Sequence, residues 1–138
     1  MNASVWGPYG WEFIHSVALG YPVNPNDNDK NNYKNFFESL QNVLPCSICQ
    51  NHYGLNLKKY SLDVALLSNQ SLFHWTVDMH NEVNRIHGKA LWQYDKAFYH
   101  YYNKYNTKRK NPNKYVLIVL SIFILLLLFN LKRNKTQM

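Results

Sequence analysis

Trp11, Ile14, Ala18 and Leu19, with His15 among them, recur at helical spacing until Gly20 and Pro22 stop the pattern. Pro8, following Gly7, suits the first turn of that helix. Residues 22–32 (PVNPNDNDKNN) then read as a polar loop. A second helix is predicted from about Asn32 to Leu44, with Tyr33, Phe36, Phe37, Leu40, Val43 and Leu44 on its buried face. Pro45 breaks it and opens a third helix, from Cys46 to about Lys59. Residues 61–68 suit a short helical turn. Ser71 is expected to cap a longer fourth helix reaching about His87, where Gly88 closes it, and residues 93–105 make a fifth. No stretch alternates like a strand and no repeat appears. The expected fold class is all-α, most simply a four-helix bundle with a short fifth helix.

After this domain the pattern changes. Residues 115–131 (YVLIVLSIFILLLLFNL) are almost continuously apolar. As a helix they would span roughly 25 Å, the short end of what crosses a bilayer. The 138 residues therefore divide into a domain at 1–106, a basic linker at 107–114 (TKRKNPNK), a transmembrane helix at 115–131 and a short basic tail at 132–138.

Charge supports that division. Residues 1–107 hold eight basic and eight acidic side chains, so the formal +7 resides in Lys108, Arg109, Lys110, Lys114, Lys132, Arg133 and Lys135. These residues bracket the apolar run, which assigns them to lipid headgroups and argues against a nucleic-acid partner. Met1–Gly20 lacks the basic start and apolar core of a signal peptide. Basic residues flank the span too evenly for the positive-inside rule to orient it. With only seven residues after Leu131, the domain is expected to stay on the side of its synthesis, the cytosolic face of a membrane.

Cys46-Ser47-Ile48-Cys49 is the first candidate for chemistry. Three residues apart on a helix, the sulfurs lie one turn from each other and can close a disulfide. Pro45 places Cys46 at the helix N-terminus, where N–H groups and the helix dipole stabilise a thiolate. A nucleophilic cysteine with a resolving partner is what dithiol exchange requires. The same motif also serves zinc sites and thioredoxin-like domains. Against zinc, His74 and His80 are about 600° apart around one predicted helix, and His80 and His87 about 10 Å apart along it. A second CxxC is absent, so no metal site is assigned. A thioredoxin fold needs a strand before the motif, and none is visible.

Two further stretches carry polar residues on helical faces. His80, Val83, Asn84 and His87 line one face, suited either to capping neighbouring elements or to hydrogen-bonding a planar polar ligand, with Trp75 as stacking surface. Trp11 and His15 stand at i, i+4 and share a face, as core or as site.

Taken together these stretches resemble the Erv/ALR family of FAD-linked sulfhydryl oxidases. The family pattern stands here as Gly7-x3-Trp11-x3-His15, Tyr21-Pro22, Pro45-Cys46-x2-Cys49 and His80-Asn81-x-Val83-Asn84-x4-Lys89. The resemblance implies a helical bundle holding FAD in its mouth, usually as a homodimer. It implies FAD contacts from Trp11, His15, His80, Asn81, Val83, Asn84 and Lys89, joined by Gly7, Val77, His100 and Tyr101. Cys49 would lie next to the flavin and Cys46 would face a thiol-containing client or a thioredoxin-like carrier. Electrons would pass from dithiols through the Cys46–Cys49 disulfide to FAD and then to O2, giving hydrogen peroxide. The chain departs from the family in having two cysteines only, with no shuttle disulfide, and in carrying His87 where the family has Leu. A two-cysteine oxidase tied to a membrane looks like the virus-encoded members that act in particle assembly.

Overall fold

The computed structural model describes residues 1–106, 120 and 122–124. Within 1–106 the chain forms α1 (Ala3–Leu19), α2 (Asp27–Val43), α3 (Ser47–Lys59), the single turn α4 (Leu62–Ala65), α5 (Asn69–Ile86) and α6 (Tyr94–Asn106). The described residues contain no strand, and the all-α expectation stands. At 13 residues α6 equals α3 in length, so the predicted fifth helix is not a short one.

Caps explain where three helices begin, and each shifts a predicted start. Asn2 accepts the Ser4 N–H at 3.0 Å, so α1 starts at Ala3 and Pro8 lies in its second turn. There Pro8 leaves the Ser4 carbonyl without its helical partner. Asn26 and Asp29 form a reciprocal capping box, each side chain accepting the other's backbone N–H, at 2.9 and 3.0 Å. This box turns the second half of the expected polar loop into the first turns of α2. Ser68 caps α5 and Ser71 completes the box at its third position, where a cap at Ser71 was expected. Gly88, at φ 62°, closes α5 in a conformation side-chain-bearing residues rarely adopt.

The central element is α5. It packs against α1, α3, α4 and α6, while α2 lies on α3. Leu72, Phe73, Trp75, Thr76, Val77 and Met79 of α5 are buried. Phe37 of α2 is fully buried and meets Trp75 edge-on at 5.2 Å. Trp75 therefore belongs to the core instead of offering stacking surface, and its indole N–H donates to the Tyr60 carbonyl at 3.0 Å. Tyr21 ties the α1–α2 loop down by donating to the Leu66 carbonyl at 2.9 Å. Val43, expected on the buried face of α2, is 65% exposed beside the start of α3.

The chain divides into two units, Met1–Asn106 and Thr107–Met138. Among the described residues no helix is long and apolar enough to cross a membrane. The predicted span at 115–131 lies outside the described residues, except for 120 and 122–124.

Candidate active site

Pro45 ends α2 and leaves Cys46 in extended backbone, φ −155° and ψ 117°, as the N-cap of α3. From there its sulfur accepts the Cys49 N–H at 3.3 Å, one of the donors a new helix leaves unpaired. Hydrogen bonds from the Cys49 side chain and backbone hold the Cys46 thiol below its ordinary pKa. Burial, and then the neighbouring Cys46, push Cys49 up to about 11. The pair is asymmetric: in the reduced chain the Cys46 thiol ionises more readily than the Cys49 thiol.

Cys49 also lines a cleft of about 1040 Å³, and Cys46 does not. The walls come from α1 as far as Ile14, the middle of α3, the second half of α5, the α5–α6 connection and α6. Gly7, Trp11, His80, Val83, Asn84, Lys89 and Tyr101 all line it, so the structure gathers most of the predicted site residues around Cys49. Gly88 turns the chain so that the Lys89 N–H donates back to the Asn84 carbonyl at 2.9 Å, which brings Lys89 to the rim.

On the inner wall the indole of Trp11 stacks flat on His80, with ring centres 4.2 Å apart and planes 5° apart. Behind them His15 is wholly buried. Its Nδ1 lies 2.9 Å from Thr76 Oγ1, its Nε2 lies 3.0 Å from His80 Nδ1, and Tyr101 stacks on its ring at 4.3 Å. Desolvation, helped by neighbouring His80 and His100, lowers His15 to about 3. Desolvation and the nearby Lys89 lower His80 to about 4. Both rings are neutral at pH 7.

Other predicted contacts stand outside the lining. Val77 is core. Asn81 is 6% exposed and spends its amide on the α5–α6 connection, donating to the Trp92 carbonyl at 2.9 Å and accepting the Trp92 N–H at 2.8 Å. His100 sits on the exposed side of α6 against Trp92, their rings 5.3 Å apart. His15 lies behind His80 and Tyr101, which line the cleft. His87, the departure from the family pattern, caps the C-terminus of α5 and lines the cleft.

The sequence reading missed Trp6, His52 and Trp92, which also line the cleft. Trp6 stands out because its indole N–H is buried without a hydrogen-bond partner. A Cβ at Gly10 would approach the Trp6 ring to 3.3 Å, so the bare glycine one turn on gives that ring its seat. The signal was a second Trp one turn before Gly10, inside Trp6-Gly7-Pro8-Tyr9-Gly10-Trp11. The histidines considered for zinc point to separate partners, His74 stacking on Tyr94 at 4.2 Å while His80 bonds to His15. Among the described residues no group of His, Cys, Asp and Glu suits a metal ion.

Comparison with known proteins leads to the same helices. The chain is 48% identical over 98 residues to a protein of Acanthamoeba polyphaga mimivirus named "Probable FAD-linked sulfhydryl oxidase", covering 70% of this chain and 68% of that one. It is 31% identical over 81 residues to the mitochondrial FAD-linked sulfhydryl oxidase erv1 of Schizosaccharomyces pombe, covering 59% of this chain but 44% of that one. The crystal structure of the FAD binding domain of Erv1 from Saccharomyces cerevisiae superposes with a TM-score of 0.69 at 25% identity, over 73% of this chain and 94% of that domain. The model of the Erv1/Alr family matches residues 8–104, from the second turn of α1 to the end of α6, and the chain belongs to that family.

Proposed function

We propose that this chain is an FAD-linked sulfhydryl oxidase that forms disulfides in protein clients. The observation carrying the proposal is the placement of the cysteine pair: Cys49 lines the cleft and Cys46 stands outside it. The cleft suits the cofactor on three counts. Its volume reaches the upper end of the roughly 300–1,000 Å³ usual for ligand sites. Trp6, which lines it, carries an indole N–H with no hydrogen-bond partner in the protein. Around Gly7, which lines it, no atom lies within 4 Å of where a Cβ would stand, so the backbone of α1 can be approached closely there. Trp11, His80, Val83, Asn84, Lys89 and Tyr101 would hold the cofactor with Trp6 and Gly7, and His15 would support it from behind. Bound there, FAD supplies a two-electron acceptor that discharges to O2 as hydrogen peroxide.

The chain's own part begins at the oxidised pair. A client thiolate attacks Cys46 Sγ, forming a mixed disulfide and breaking the Cys46–Cys49 bond, and the released electron pair stays on Cys49 at the cleft. A second client thiolate then attacks the mixed disulfide, the client disulfide forms, and Cys46 leaves as a thiolate. The low pKa of Cys46 suits it as that leaving group. With two cysteines in the chain, clients or a thioredoxin-like carrier must react at Cys46 directly.

The setting is part of the proposal. The apolar run 115–131 and its basic flanks support a single-pass membrane anchor, with the domain on the cytosolic face. Val5, Tyr9 and Phe13, spaced four apart on α1, are 65%, 74% and 58% exposed and support a homodimer. Similarity to a mimivirus protein supports a viral setting, for which the proposal is a place in virion assembly.

Full-length protein purified in detergent should be yellow and should consume O2 with dithiothreitol. Cys46→Ser and Cys49→Ser should each abolish O2 uptake while keeping the flavin absorbance. A colourless preparation that FAD does not restore, or bound flavin without O2 uptake, would refute the oxidase.

A further inference from the structure

We infer that Thr76, a buried residue of α5 away from the cleft lining, is a positioning residue that fixes the tautomers of His15 and His80, so that His80 presents a hydrogen-bond acceptor to the cleft. The part concerning the cofactor rests on the flavin reading above. The order of protons follows from one short contact. Thr76 Oγ1 lies 2.7 Å from the Phe73 carbonyl oxygen. Two oxygens that close need a hydrogen between them, and the carbonyl has none, so the hydroxyl donates to Phe73. A hydroxyl has one proton. Toward His15, at 2.9 Å, Thr76 can therefore only accept, and His15 must carry its proton on Nδ1.

That choice propagates. A neutral ring protonated on Nδ1 has a bare Nε2, and His15 Nε2 lies 3.0 Å from His80 Nδ1. The bond exists only if His80 donates, so His80 also carries its proton on Nδ1. Its Nε2 is then a lone pair, on the ring that lines the cleft under the Trp11 indole. A relay of three bonds thus runs from the Phe73 carbonyl through Thr76, His15 and His80. The group the cofactor places against His80 must be a donor, an N–H or an O–H. Reversing the relay would leave two oxygens in contact at 2.7 Å without a proton. Adding a proton would put a charge on one of two rings that burial keeps neutral.

The test uses full-length, flavin-loaded protein labelled with 15N-histidine, in detergent at pH 7.5. Long-range 1H–15N spectra should show both His15 and His80 protonated on Nδ1 and bare on Nε2. A proton on His80 Nε2 in the wild type would overturn the inference, whatever the variants do. Thr76→Val keeps the shape and removes the acceptor, so His80 should become a mixture of tautomers. Cofactor binding should then weaken roughly tenfold, the scale of one buried donor left unpaired. Thr76→Ser should restore both readouts, and an unchanged His80 tautomer in Thr76→Val would count against Thr76. The same spectra of the flavin-free chain separate the two proposals. A wild type that binds no flavin but keeps both protons on Nδ1 would end the oxidase reading and leave the relay standing.

Discussion

Acid should weaken this fold earlier than its carboxylates alone would allow. His15 is held down to about 3 and His80 to about 4, chiefly by burial. In the unfolded chain both return to about 6.5. Below that value the unfolded state binds protons that the folded state refuses. The stability from keeping these rings neutral is complete above pH 6.5 and is lost as pH falls toward the folded values. Between pH 7 and 5.5 each unfolded histidine gains about 1.3 kcal/mol, so the pair costs the fold about 2.5 kcal/mol. Carboxylates, with ordinary values near about 4, stay largely ionised in that window. Urea unfolding at a fixed excess of FAD, followed by tryptophan fluorescence, should show the midpoint falling by roughly 1–2 M from pH 7 to 5.5. His80→Gln should remove about half of that slope. A midpoint that is flat over this window, or a slope that His80→Gln leaves intact, would refute the buried neutral pair.

In the reduced protein near neutral pH, iodoacetamide should modify Cys46 roughly tenfold faster than Cys49, read by mass spectrometry of the peptide. Equal rates would remove the assigned polarity of the pair. Asn81→Ala should cost about 1–3 kcal/mol in urea unfolding without FAD, because it strips both hydrogen bonds from the Trp92 backbone. A variant of unchanged stability whose only defect is flavin affinity would instead return Asn81 to direct cofactor contact.

The helices were legible wherever periodicity and helix breakers agreed, as at Pro45 and Gly88. They were misread where a cap acted through the side chain of a residue resembling loop. Asn26 and Asp29 lie in a run of Asn and Asp that looks like solvent-facing chain. Only their reciprocal spacing of three announces a helix start, and it competes there with Pro22 and Pro25. The site was legible as a set of residues but not as layers. Spacing places Trp11, His15, His80, Asn81 and Asn84 on helix faces. It cannot tell a side chain that borders the cleft from one that braces a neighbour, because that depends on which helix lies opposite. His15 and Asn81 fall into the second group once α5 and the α5–α6 connection are in place. Trp6 escaped because an indole on an apolar helix reads as packing. Only its unpaired N–H, visible after folding, gives it away.

The difference between the two cysteines follows from a helix start. Two residues between them make a turn of about 300° and a rise of about 4.5 Å. That spacing keeps the sulfurs close enough to pair while lifting Cys49 off the mouth of α3. Cys46, as N-cap, stays outside the helix, where the Cys49 thiol and then its N–H lower its pKa and Pro45 keeps it out of α2. One turn in, Cys49 meets the wall that α5 builds with His80, Val83 and Asn84, and burial there raises its pKa. Backbone geometry thus sets one sulfur on the cleft lining and the other outside it. In the proposed reaction the pair would pass electrons inward from a client that reaches Cys46. The exposed surface there, Val43 and Ile48 at 65% each, leaves that approach open.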